Sequence, residues 1–168
     1  RTFPVMLDFA RDMEKVCPDA WLLNYTNPMC ALTGGILRQT EIRTVGLCHS
    51  VQACASTLLR NVDMLDEVEN LQWKIAGINH MAWVLEITDG GKDLYPEIKK
   101  RARQKLREWR KGPDKSSDMV RLYMMLNFGY YITESSEHLS EYVPYFIKSQ
   151  YPHLIEEFNI PLDEYPRR

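Results

Sequence analysis

The sequence is short of several things, and each shortage narrows what it can be. Its 168 residues hold no apolar run approaching the roughly 20 residues of a membrane-crossing helix, and no charged-then-apolar signal segment opens it. A soluble protein with no membrane partner is expected. Charge of either sign is not in excess: 21 Lys and Arg stand against 23 Asp and Glu, so nucleic acid or an anionic lipid surface is not the partner the composition selects. Among the four cysteines, Cys17, Cys30, Cys48 and Cys54, there is no Cys-x-x-Cys pair and nothing like the density of a secreted disulfide scaffold. A reducing cytoplasm suits them better. A Gly-x-Gly dinucleotide fingerprint is absent, as are repeats and low-complexity tracts. The chain also lacks an initiator Met, entering a helical pattern directly from Arg1-Thr-Phe-Pro and trailing off at Tyr165-Pro-Arg-Arg, which reads as a piece of a longer polypeptide.

What is present is a chain with 45% hydrophobic residues, enough for one ordinary domain with a core. The first part alternates in a regular way. A helix over roughly Val5–Val16 stops at Cys17-Pro18, a short strand Ala20–Tyr25 closes at Thr26-Asn27-Pro28, and a helix weakened by Gly34-Gly35 follows over 28–38. Arg43–Leu47 reads as a second buried strand ending at Cys48-His49, with Ser50 as cap of a helix through about Leu59. This rhythm predicts a parallel α/β sheet, in which ligands bind beyond the carboxyl ends of the strands. Asn24 to Pro28 and Cys48-His49 both fall at such ends and are expected to face one crevice.

The second part differs in texture. Leu71–His80 and Met81–Thr88 alternate, with Asp89-Gly90-Gly91 as a turn, which predicts an antiparallel pair or one long bent strand broken at Asn79-His80. Leu94–Lys111 is helical and strongly basic, and is read as a solvated face rather than a nucleic-acid patch. A further apolar and aromatic helix is expected over Asp118–Tyr131, leading into Thr133-Glu-Ser-Ser-Glu-His-Leu-Ser-Glu-Tyr142.

A thiolate and an imidazole from separate segments, such as Cys48 with His80 and His49, suit a divalent transition metal better than Mg or Ca. Two or three protein ligands are too few for a structural zinc site, but they leave positions open for a substrate to chelate. On pattern alone the plainer reading prevails, with Cys48 a small buried hydrophobe and His80 a satisfied strand histidine. A Cys48–His49 nucleophile pair is weaker still, because adjacent strand residues point to opposite faces.

Four stretches change that balance. Asn24-Tyr-Thr-Asn-Pro-Met, Val45-Gly-Leu-Cys-His-Ser-Val-Gln, Ala76-Gly-Ile-Asn-His-Met-Ala-Trp and Thr133-Glu-Ser-Ser-Glu-His-Leu-Ser-Glu-Tyr resemble, in order and rough spacing, motifs of the NAD- and metal-dependent family-four glycoside hydrolases. The likeness runs from the first residues to about Lys148. Its Cys-His-Ser-Val version looks most like the α-galactosidase branch, since the phospho-glycosidase branches usually carry Asn or Asp where His49 stands. The resemblance implies an α/β fold: residues 1–60 would end an NAD-binding, Rossmann-like parallel sheet, and 61–168 would begin an α+β sugar-binding, catalytic domain.

It also implies an unusual hydrolysis of α-glycosides, outside the two-carboxylate scheme. NAD⁺ takes hydride from the sugar C3, a base removes the acidified C2 proton, and Mn²⁺ or another divalent transition metal stabilises the charge. The leaving group then departs by elimination before water adds and the hydride returns. The family's metal ligands fall on Cys48 and His80. Asn24 and Asn27 fall beside the cofactor, with Asn27 also touching a sugar hydroxyl. His49 would select non-phosphorylated sugars, His138 and Glu137 would meet sugar hydroxyls, and Tyr142 would be the C2 base, its pKa lowered by the nearby cations. Glu134, Glu137 and Glu141 read otherwise as a solvated helical face, and Tyr142 as core.

The family's fingerprint and general acid would lie upstream of this segment. α-Glucosidase and α-galacturonidase activities are close alternatives, and the family habit is a homo-oligomer in which the Asp118–Tyr131 helix would take part. Outside the family, an NAD-dependent 2-hydroxy-acid dehydrogenase relative or a non-catalytic module are the rivals.

Overall fold

The computed structural model describes residues 1–78 and 80–162; Asn79 and the Tyr165-Pro-Arg-Arg end lie outside the described residues. Contacts divide the chain into two units, Arg1–His49 and Ser50–Arg168.

The first unit is a helix–strand–helix–strand run: α1 (Thr2–Val16), β1 (Trp21–Asn24), α2 (Met29–Gln39) and β2 (Arg43–Gly46). β1 and β2 pair in parallel, Trp21 opposite Arg43 and Asn24 opposite Gly46, with α2 as the crossover that parallel pairing demands. The expected parallel α/β beginning is therefore present. α1 starts three residues ahead of Val5, because Pro4 sits in the first turn, where a missing N–H costs nothing. Gly34-Gly35 does not break α2. A Cβ on Gly35 would lie 2.3 Å from the Phe3 ring, so the missing side chain is what lets α1 and α2 approach. Ala10, Ile36 and Ile42 are the buried centre of this unit, with Phe3, Met6, Met13 and Leu22 packed around them.

α3 (His49–Asn61) starts on the last residue of the first unit and otherwise belongs to the second, followed by a 3₁₀ turn at Leu65–Glu67. α3 begins at His49, so Ser50 lies inside its first turn instead of capping it. Next come β3 (Leu71–Ile78), β4 (Met81–Asp89), β5 (Lys92–Asp93), α4 (Tyr95–Lys111), α5 (Met119–Phe128), β6 (Tyr131–Ile132), α6 (Ser136–Tyr142) and α7 (His153–Glu157). β3 and β4 form the antiparallel hairpin, Leu71 opposite Asp89 and Ile78 opposite Met81. Between Lys74–Glu86 and Ile75–Val84 the register skips Leu85. That extra residue switches the buried parity of β4 from Ala82 and Val84 to Ile87 and leaves Leu85 exposed.

β4 is the central strand, bonded on its other edge to β5 and β6. α4 buries Tyr95, Ile98, Ala102 and Leu106, one stripe at helical spacing. Its basic face is largely ionic: Arg101 meets Glu67 at 2.7 Å and Glu97 at 3.0 Å, Lys105 meets Asp63 at 2.5 Å, and Arg110 meets Glu157. Hydrogen bonds from Arg101 hold the Glu67 and Glu97 carboxyls below the usual range.

The helix expected over Asp118–Tyr131 is shorter. α5 ends at Phe128, where Gly129 takes a left-handed φ of 94°, and Tyr131-Ile132 leave it to pair with Val84 and Trp83 of β4. Met119, Val120, Leu122, Met124 and Met125 face the unit's own core, so most of the apolar surface offered for oligomer contacts is spent internally.

A buried polar knot ties α3, α5 and β6 together. Asp118 accepts from the Asn61 amide at 2.8 Å and the Tyr131 hydroxyl at 2.7 Å, and pairs with the Arg121 guanidinium at 3.2 Å. Arg121 also lies over the Tyr131 ring, 4.2 Å from its centroid. Burial pushes the Asp118 carboxyl up, against the pull of Arg121, Tyr131 and Asn61.

Gly77 sits on β3 at φ 140°, with the Ala82 Cα only 2.5 Å from where its Cβ would be. Gly77→Ala is expected to cost about 2 kcal/mol in urea unfolding, from strain and clash together. Gly34→Ala, in open space on α2, is expected to gain up to about 1 kcal/mol in the same assay.

Candidate functional site

In the first unit the two motifs expected to share a crevice do meet. The β1–β2 pairing continues past the strands, the Leu47 N–H donating to the Asn24 carbonyl at 3.0 Å, which brings Cys48-His49 beside the loop that follows β1. Asn24 is buried and its amide is fully used: it donates to Thr33 Oγ1 at 3.0 Å and to the Met29 carbonyl at 3.4 Å, and accepts from the Thr26 N–H at 2.9 Å. It shapes the loop. Asn27, exposed before a cis bond to Pro28, accepts from the Met29 N–H at 3.3 Å. Cys48 is half-buried, and the exposed His49 ring lies 4.6 Å from the Tyr25 ring.

In the second unit His80 occupies the tip of the β3–β4 hairpin, at a left-handed φ of 66°. β6 pairing delivers the next group. The Thr133 N–H donates to the Ala82 carbonyl at 2.9 Å, which sets Glu134 beside the hairpin tip. Its Oε1 accepts from the Ser135 N–H at 2.9 Å, leaving Oε2 3.2 Å from His80 Nδ1. Ser135 caps α6 by accepting from the His138 N–H at 3.2 Å.

α6 then turns His138 and Tyr142 to the same place. The His80 ring lies 5.3 Å from that of His138 and 6.4 Å from that of Tyr142, and those two are stacked at 6.1 Å. His138 Nδ1 is 3.2 Å from Glu141 Oε2. Within this unit the structure thus gathers His80, His138 and Tyr142.

Glu134 departs from its expected place on a solvated helical face. It precedes the cap of α6, and its side chain is only 14% exposed. The signal in the sequence was the Tyr131-Ile-Thr run before the Ser135 cap, which marks 131–134 as a strand end instead of the start of a helix. Tyr142 is not core, being 51% exposed. Its phenol is raised above its ordinary value by partial burial and then by the Glu141 and Glu134 carboxylates. The lowering expected from the sequence is therefore not supplied by its neighbours in the chain.

Residues 1–64 match the family 4 glycosyl hydrolase profile, and 75–168 match the family 4 glycosyl hydrolase C-terminal domain. The chain belongs to glycosyl hydrolase family 4. Among curated family 4 relatives it is 59% identical to an α-galactosidase of Bacillus subtilis, over all of this chain and 37% of that protein. LplD of Bacillus subtilis, named as a glucosidase, shares the fold with a TM-score of 0.72 at 23% identity, over 93% of this chain and 38% of LplD. A 6-phospho-α-glucosidase from gut microorganisms, solved with NAD and Mn²⁺, gives a TM-score of 0.62 at 22% identity over 94% of this chain and 38% of its own. The chain spans somewhat over a third of the length of the relatives it matches. Along this chain a parallel sheet is followed by an antiparallel one. Among the described residues no helix is long and apolar enough to cross a membrane.

Proposed function

We propose that the polypeptide carrying this chain hydrolyses α-galactosides with NAD⁺ and a divalent transition metal, Mn²⁺ first among them. The single observation carrying the reading is the 59% identity to the Bacillus subtilis α-galactosidase over the whole chain, with the Cys48-His49 and His80 motifs inside it. Chain and cofactors are compatible. His80 Nδ1 is a buried nitrogen without a hydrogen-bond partner among the described residues, the kind of orphan a cation satisfies.

Cys48 and His80 would hold the metal, a thiolate and an imidazole leaving room for the sugar. Asn27 would orient a sugar hydroxyl close to the nicotinamide, on a loop that Asn24 keeps in shape. When bound, NAD⁺ supplies a hydride acceptor at the sugar C3 and the metal supplies positive charge at the C2 and C3 oxygens. Tyr142 would take the C2 proton: it is the exposed phenol facing His80. Elimination of the aglycone and addition of water would complete the hydrolysis, the bound cofactor supplying the redox chemistry at C3. His138 would hold a sugar hydroxyl beside Tyr142, and His49 would meet a sugar that carries no phosphate. A cytoplasmic homo-oligomer acting on a small-molecule glycoside fits this reading.

The test takes the longest polypeptide encoded around this segment, strips metal with a chelator under reducing conditions, and supplies an aryl α-galactoside with NAD⁺ and Mn²⁺ singly and together. Hydrolysis only with both present is the expected result. Hydrolysis without NAD⁺ would overturn the redox route, and α-glucoside or α-galacturonide turnover in place of α-galactoside would overturn the sugar assignment.

A further inference from the structure

We infer that Glu134 is a third protein ligand of the metal site, binding the same ion as His80 and meeting it through Oε2 while His80 uses Nδ1. The inference rests on the proposal that a divalent metal sits at His80 and adds a residue and an atom to it. Three observations carry it.

The first is spacing. Two donors bound to one ion at about 2.1 Å and subtending roughly 90–110° lie about 3.0–3.4 Å apart. His80 Nδ1 and Glu134 Oε2 are 3.2 Å apart. The second is direction. At that distance an imidazole and a carboxylate would normally share a hydrogen bond, yet Nδ1 has no hydrogen-bond partner among the described residues. The two groups are close but not aimed along an N–H bond, as when both lone pairs point to a common third atom. The third is preparation. Glu134 Oε1 is tied to the Ser135 N–H at 2.9 Å and the preceding Thr133 is bonded to Ala82, so the carboxylate is presented with one oxygen already used and the other delivered. A side chain that is 14% exposed, beside one that is 25% exposed, gains little from water in place of that ion.

A carboxylate changes what the site selects. It adds a hard, anionic donor to thiolate and imidazole, which moves preference toward Mn²⁺ and Fe²⁺ and away from ions that favour sulfur and nitrogen alone. It also lowers the net charge that the bound ion presents to a sugar.

The experiment is a Mn²⁺ titration of the longest encoded polypeptide, followed by the electron paramagnetic resonance of free Mn²⁺ and the water-proton relaxivity of the bound ion. Cys48→Ser, His80→Ala and Glu134→Gln are compared with the unmodified protein. Glu134→Gln is expected to weaken Mn²⁺ by about tenfold or more and to raise the relaxivity, as a water takes the place of the carboxylate. Unchanged affinity and relaxivity in Glu134→Gln, with binding lost in Cys48→Ser and His80→Ala, would overturn the role of Glu134 and leave the metal reading standing. Unchanged binding in Cys48→Ser and His80→Ala would remove the metal reading itself. A second measurement needs no variant: ¹⁵N resonances of His80 on adding Zn²⁺ should report metal at Nδ1, and metal at Nε2 would overturn the inference even where Glu134→Gln fails to fold.

Discussion

Cys48→Ser and His80→Ala are each expected to lower α-galactoside turnover by the intact polypeptide roughly a hundredfold or more, with bound manganese lost in step. Serine is close to cysteine in volume, so packing at the end of β2 is kept. Its hydroxyl stays neutral near pH 7, however, and is a poor ligand for a divalent ion. His80→Ala removes the only imidazole that the hairpin tip offers. The measurement is kcat/KM on an aryl α-galactoside together with manganese per chain after gel filtration. Full turnover with manganese retained in either variant would sink the assignment of that residue. Loss of turnover with manganese retained would point instead to damage at the sugar, separating the two roles.

The second large effect lies in the core. Arg121→Met keeps an unbranched apolar stem but removes the guanidinium that lies over Tyr131 and is the only one paired with Asp118 among the described residues, and it is expected to cost about 3–5 kcal/mol in chemical denaturation at neutral pH. The loss arises because Asp118 stays buried with, among the described residues, only the Asn61 and Tyr131 donors. Changing both ends, Asp118→Asn with Arg121→Met, should recover most of it. Burial already raises the Asp118 carboxyl. Without Arg121 it rises further, so the folded state takes up that proton before the unfolded state does. The stability deficit of Arg121→Met relative to the unmodified chain should accordingly be largest at neutral pH and shrink toward acid. A cost below about 1 kcal/mol, or a deficit that grows in acid, would show that Arg121 does not carry the knot.

Much of the first unit was legible because its signals are local. Proline and turn residues mark the ends of α1 and β1, and two short apolar runs separated by a helix leave few alternatives to a parallel pair. The antiparallel pair, one of two readings of 71–88, was legible from alternation broken at Asn79-His80, and Asp89-Gly-Gly marks the turn from β4 into β5. What could not be read depended on long-range pairing. Tyr131 and Ile132 carry on the apolar pattern of α5, and only their bonds to β4 take them out of the helix. That same pairing moves Glu134 from a supposed solvated face to the side of His80. Two glutamates three residues apart, Glu134 and Glu137, are equivalent on a helical wheel; a two-residue strand makes them different. The raised phenol of Tyr142 was likewise hidden, since it reflects partial burial first and then the Glu141 and Glu134 carboxylates, and neither the burial nor the nearness of Glu134 can be read from local pattern.

The two-residue strand β6 has a bearing on which ions the hairpin tip can accept. Tyr131 and Ile132 are fully buried, Thr133 is bonded to β4, and Ser135 is locked as a cap, so Glu134 hangs from a stretch of chain with almost no slack. An ion that asks for wider donor separations has to move the centre of the core to get them. Calcium, with ligands at about 2.3–2.6 Å and a taste for crowded, adjustable shells, is poorly served by such a caliper, whereas ions with shorter bonds meet it as built. If the proposed ion sits at the hairpin tip, this rigidity would act as a size filter, set by Tyr131, Ile132 and Ser135 in place of the ligands themselves.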